Sequence, residues 1–213
     1  MNAQQVFELE TGSGRVIEVS QFAERDYEDT HQLMTAFANG REDGERDRIW
    51  LLQHPAVYTQ GTACQQQPLY PSAIPVIKSD RGGQITYHGP GQLVVYPMLK
   101  LRDYGLGVKS LVQTLEQSVI DLLDSYGIAG ERREDAPGVY LNQAKIAALG
   151  LRIRRGTSYH GLSLNIDMDL QPFRNIDPCG YQGLEVTQLA DHVHKPVFDE
   201  VATALLNRFV ALI

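Results

Sequence analysis

Cysteine is scarce. The 213 residues hold two, Cys64 and Cys179. Two thiols make no disulfide framework, and the expected setting is a reducing cytoplasm, where a thiol stays a thiol. Long apolar runs are absent as well, so no membrane span is expected. The first residues lack a basic segment followed by an apolar stretch, so no secretory signal is expected. No Gly-Lys-Ser/Thr phosphate loop and no dinucleotide fingerprint occur. His192 and His194 stand two apart without a third ligand, which does not make a metal site. The net charge of −7 argues against nucleic acid as the main partner. Acidic residues are missing altogether from 136–166, where Lys145, Arg152, Arg154 and Arg155 stand. Such a basic stretch either docks an acidic macromolecule or is a solvated strand edge.

What is present suits one domain over 1–213, with 43% apolar residues to build its core. Residues 15–19 read as a strand. A helix is expected over 23–38, with Tyr27, Met34 and Phe37 near one face and Gly40 as its stop. Residues 41–48 read as a charged surface loop, and 49–52 as a strand covered on both faces. Residues 62–75, with three prolines and three consecutive glutamines, read as a long loop. Strands are expected over 75–78, 84–87 and 93–96. The clearest helix covers 108–126: Leu111, Leu115, Val119 and Leu122 share a face, and Gly127 ends it. A hairpin joins 138–141 to 144–153 across Asn142-Gln143. A strand over 160–166 follows, and Pro196 is expected in the first turn of a last helix carrying Val201, Leu205, Phe209 and Leu212. Strands and helices do not alternate strictly. The expected fold is therefore α+β, with a central mixed, largely antiparallel sheet packed by helices.

Three pieces carry chemistry. Cys179 lies between Pro178 and Gly180, in a turn that can present a thiol to a cleft; the plain alternative is a small buried hydrophobe. If 144–153 is a regular strand, Lys145 shares a face with Ala147, Leu149, Leu151 and Ile153, while Arg152 and Arg154 face solvent. There it either sits poorly hydrated beside a thiolate that offsets the cost or reaches out to water. Residues 81–92 hold four glycines and a proline around a short strand. They form either a backbone cradle for a ligand or an ordinary turn pair. His88 is open to reading as a base, an oxyanion donor or a core histidine.

In order along the chain, Arg81-Gly82-Gly83, Thr86-Tyr87-His88, Gly91-Gln92, Asp135-Ala136-Pro137-Gly138-Val139-Tyr140, Lys145-Ile146, His160-Gly161-Leu162 with Asn165, and Pro178-Cys179-Gly180 resemble the octanoyltransferases of lipoate biosynthesis. The likeness covers about residues 49–183 and fades at both ends. It implies a fold similar to the catalytic domain of biotin and lipoate protein ligases. It implies that Cys179 takes an octanoyl group from octanoyl-acyl carrier protein as a thioester. A lysine ε-amine on the lipoyl domain of a 2-oxoacid dehydrogenase, or on the glycine cleavage H protein, then takes it as an amide. Lys145 assists by lowering the thiol's pKa and moving protons. Arg81, Gly82, Gly83, Gln84, Ile85, Thr86, Tyr87 and His88 are expected to line the acyl pocket, with Ala148, Leu149, Gly150, Gly161, Leu162 and Ser163. A thioester is already activated, so neither ATP nor metal is expected. Acidic partners would give the basic stretch a docking task. The alternatives are an ATP-dependent lipoate or biotin ligase and a non-catalytic module that binds acyl carrier or lipoyl domains.

Overall fold

The computed structural model describes residues 4–64, 72–134, 136–176 and 185–213. Cys179 and the turn around it lie outside the described residues. Among the described residues, eleven strands form two sheets. The larger runs in the order β1 (Gln5–Glu10), β2 (Val16–Glu24), β3 (Arg48–Gln53), β7 (Gln92–Met98), β11 (Thr157–Asn165), β10 (Ala144–Arg154), β9 (Gly138–Leu141) and β8 (Glu131–Arg132). Among its described strands, β2 and β3 pair in parallel and the other neighbours are antiparallel. The smaller sheet has the order β5 (Val76–Lys78), β4 (Val57–Gln60) and β6 (Ile85–His88). This is the expected mixed, largely antiparallel arrangement.

Helices cover both faces of the larger sheet. On one side, α2 (Val108–Asp124) and α3 (Phe198–Ala211) pack Leu111, Leu115, Val119, Leu205 and Phe209 against Val19, Leu51, Val95, Leu162 and Leu164. On the other, α1 (Tyr27–Gly40) sets Met34 and Phe37 against Trp50, Val94, Tyr96 and Tyr159. The strand period of two divides β7 cleanly, with Leu93 and Val95 facing one core and Val94 and Tyr96 the other. Being covered on both faces makes β3, β7 and β11 nearly all apolar or small.

Local signals set the ends. Asp26 caps α1, its carboxylate accepting the Asp29 N–H at 3.0 Å. The helix thus starts at Tyr27, and residues 23–24 belong to β2 rather than to the helix expected from 23. Gly127, at φ 74°, ends the turn after α2 as expected. Asn142 and Gln143 have φ of 47° and 84°, the doubly left-handed pair of a two-residue hairpin. Arg155 and Gly156 repeat the device, at 50° and 79°, to join β10 to β11. Two expectations fail here. Pro196 stands before α3, whose N-cap is Val197, so it ends the approach instead of opening the helix. The charged stretch 41–48 is not wholly on the surface, because the Arg41 and Asp47 side chains pair at 2.5 Å while 5% and 4% exposed.

Candidate active site

A cavity of about 360 Å³ opens between the α1-side face of the larger sheet and the smaller sheet. Arg81, Gly82, Gly83, Gln84, Ile85, Thr86 and His88 border it from one side, and Ala148, Leu149, Gly150, Gly161, Leu162 and Ser163 from the other. Two stretches about 65 residues apart in sequence thus face one space. Tyr87 packs its ring on Phe173 and Tyr58 and folds over Gly89, where a Cβ would lie 2.3 Å from its hydroxyl oxygen.

Glycines let the walls meet. The Gly82 N–H donates to Leu151 O at 3.2 Å, laying the loop on β10. A Cβ on Gly150 would come within 2.9 Å of Gly82 O, and one on Gly161 within 2.0 Å of Val95 O. Arg81 is buried. It donates from Nε to Thr59 Oγ1 at 3.0 Å and from Nη2 to Thr59 O, so the guanidinium holds the loop to β4.

Lys145 lies at the β9 end of the cavity and is 5% exposed. It does not reach out to water. Nor does it share a face with Ala147 and Leu149, as a regular strand would require. Lys145 pairs with Tyr140 and Ala147 with Val139, so the register slips between them. One extra residue, Ile146, turns Lys145 to the face opposite Ala147. Its ammonium sits 5.2 Å from the Tyr140 ring centroid and donates to Pro137 O at 3.3 Å. Gly138, at φ 148°, makes room: a Cβ there would lie 3.0 Å from Lys145 Cε and 2.7 Å from Ala147 O. Glu116 on α2 holds this turn from behind, accepting the Gly138 N–H at 2.9 Å.

The described chain on both sides of residues 177–184 borders this same cavity. Phe173 and Val186 line it. Beyond the turn, Val186 bridges Lys145 in parallel; Lys145 N–H donates to Glu185 O at 2.8 Å and Thr187 N–H to Lys145 O at 3.0 Å. A relay of amides extends this anchorage. His88 Nδ1 lies 2.7 Å from Gln92 Oε1, Gln92 Nε2 donates to Asn165 Oδ1 at 2.9 Å, and Asn165 Nδ2 donates to Thr187 O at 2.9 Å. His88 is thus a positioned core histidine on the cavity wall. Burial, then the neighbouring His54 and Arg81, push its pKa well below the usual value. Burial also lowers His54, to about 4, and lowers His160 against the pull of Asp80. Neutral imidazoles and phenols therefore surround the buried Arg81 guanidinium on this wall.

Cys64 is half-buried against the Tyr58, Ile85 and Tyr87 cluster, remote in role from the lysine. Sequence reasoning missed Tyr27, Tyr96, Phe173 and Val186 as lining residues. Tyr27 and Tyr96 carried only core periodicity, and no sequence signal marks 185–187 as the strand that pairs with Lys145. Gln92 and Asn165 stood in the quoted motifs, but their contact spans 73 residues.

A family model described as the lipoyl protein ligase A/B catalytic domain matches residues 26–210, and the chain belongs to that family. Among its relatives, an octanoyltransferase of Pseudomonas fluorescens is 55% identical over 185 residues, covering 86% of each chain. An octanoyltransferase of Alkalilimnicola ehrlichii is 54% identical over 176 residues, covering 82% of each. The octanoyltransferase resemblance read from the motifs is borne out, and the acyltransferase reading with it. A lipoate-protein ligase A bound with ATP superposes with TM-score 0.70 at 17% identity, covering 87% of this chain and 81% of that one. The bipartite lipoate protein ligase of Thermoplasma acidophilum gives 0.68 at 17%, covering 90% and 81%. These likenesses carry the fold alone, and the fold is the expected one.

Proposed function

We propose that residues 1–213 form one catalytic domain that moves an octanoyl group from octanoyl-acyl carrier protein to a lipoyl-domain lysine in the cytoplasm. Cys179 and Lys145 are its working pair. The Cys179 thiolate attacks the donor's thioester carbonyl. The tetrahedral adduct collapses, the carrier's sulfur leaves with a proton, and an octanoyl thioester remains on Cys179. The ε-amine of a lysine on a 2-oxoacid dehydrogenase lipoyl domain, or on the glycine cleavage H protein, attacks that carbonyl. The amide forms, the amine's proton is removed, and the cysteine sulfur is released. Lys145 stabilises the thiolate by its charge and carries protons to the carrier sulfur and from the amine.

One observation carries this reading: Lys145 is buried at the cavity wall, backbone-paired to the chain that leaves the Cys179 turn. A buried ammonium stabilises a thiolate brought near it, which is the part this proposal gives Lys145. The apolar residues around the cavity suit a straight hydrocarbon chain. The test is intact-mass measurement after incubation with octanoyl-carrier protein. Wild type is expected to gain a hydroxylamine-labile octanoyl group, Cys179→Ala none, and Lys145→Ala the same group far more slowly. An unmodified wild type that uses free octanoate and ATP instead would establish a ligase. Partner binding without adduct or turnover would establish a docking module. Arg152 and Arg154 are exposed along β10, and docking of an acidic carrier there makes transfer fall as salt is raised. Lys145 is buried and takes no part in that surface. A rate indifferent to ionic strength removes the docking role.

A further inference from the structure

We propose that His31, Asp80 and His160 form a divalent transition-metal site, taking Zn²⁺ or a like ion, behind the cavity wall that His160 borders. The three come from separate parts of the chain: α1, the loop after β5, and β11. His31 Nε2 and His160 Nε2 each lie 2.9 Å from Asp80 Oδ1, and the three donor atoms fall within 4.8 Å of one another. Ligands of a tetrahedral ion with bonds of about 2.0–2.1 Å stand about 3.3 Å apart, which is close to the spacing of this set. Two imidazoles and one carboxylate are a donor set that suits Zn²⁺, Co²⁺ or Fe²⁺ and leaves a position open.

The surroundings are built for it. Tyr159 O–H donates to the other oxygen of Asp80, orienting the carboxylate as an outer-shell partner does. His160 holds a left-handed backbone, φ 57°, which a non-glycine residue adopts at a cost. That conformation lets neighbouring residues Tyr159 and His160 both reach Asp80. His160 is 1% exposed, while the His31 and Asp80 side chains are 21% and 32% exposed, so one ligand is held in the core and two are partly open to solvent. Nothing in the acyl-transfer chemistry uses His31.

The test is titration of tag-free protein with Co²⁺ alone, followed by its visible absorption and by calorimetry. Wild type is expected to take one ion per chain, with d–d bands and no sulfur-to-cobalt charge transfer. His31→Ala and His31→Gln are expected to bind at least tenfold more weakly, while octanoyl transfer is unchanged. Gln keeps an N–H for Asp80 but loses the imidazole lone pair; should His31→Ala fail to fold, His31→Gln decides alone. Absence of saturable binding, a thiolate band, or wild-type affinity in His31→Gln overturns the proposal.

Discussion

Acid should loosen this protein well above the carboxylate range, and His54 is one measurable reason. The ring is fully buried, with Nδ1 2.6 Å from Arg25 O and Nε2 2.8 Å from the Tyr96 hydroxyl. Nδ1–H donates to the carbonyl and Nε2 accepts from the phenol, so a second proton makes the Tyr96 hydroxyl turn and accept instead, and the charge it adds is buried. Burial holds its pKa at about 4, against 6.5 in an exposed ring. The unfolded chain therefore accepts a proton that the folded chain refuses. Stability rises with pH through this window and is lost as pH falls from about 6.5 towards 4. The full loss is about 3 kcal/mol, of which about 2 kcal/mol has gone by pH 5; the slope cannot exceed about 1.4 kcal/mol per pH unit for one proton. His88, also pushed down by burial, adds in the same direction. Urea unfolding at several pH values between 7.5 and 4.5 measures this. His54→Asn keeps an N–H for Arg25 O and removes the titration. It should lower stability at pH 7.5 but flatten the slope. An unfolding free energy independent of pH across the window, or an unchanged slope in His54→Asn, refutes the reasoning.

Other outcomes follow from the Lys145 wall. Gly138→Ala puts a Cβ 2.7 Å from Ala147 O and 3.0 Å from Lys145 Cε in a left-handed conformation, which should cost about 1–3 kcal/mol in urea unfolding and slow adduct formation by displacing the ammonium. Glu116→Ala leaves the buried Gly138 N–H without its acceptor, a loss of about 1–3 kcal/mol by the same measurement; Glu116→Gln, which keeps a carbonyl oxygen, should recover most of it. If the acyl tail is buried in the cavity, hexanoyl-carrier protein loses two CH₂ groups at about 0.8 kcal/mol each. Its specificity constant for adduct formation should then fall about 15-fold relative to octanoyl; equal constants would put the tail in water.

Much of the fold was legible because period and punctuation agreed. Leu111, Leu115, Val119 and Leu122 mark α2 whatever it packs on, and Asn142-Gln143 marks the hairpin. β1 was not legible: its burial alternates weakly, and it is held as an edge strand by β2 alone. The face of Lys145 was misread for a definite reason. Alternation assumes an unbroken ladder, and the extra residue at Ile146 is visible only when β9 is laid beside β10. The start of α1 slipped because β2 runs on to Glu24 in the larger sheet, and pairing with β3 overrode the local helical spacing.

By itself the sequence determined the family, the mixed sheet and the order of the motifs, since these rest on residue identity and short-range pattern. Only the tertiary structure decided which motifs share a wall. Gly82 meets Gly150, Gln92 meets Asn165, and Lys145 meets Val186 through close approach and hydrogen bonds between distant stretches. No period in the chain encodes such contacts, because they exist only once both faces of the sheet have been buried.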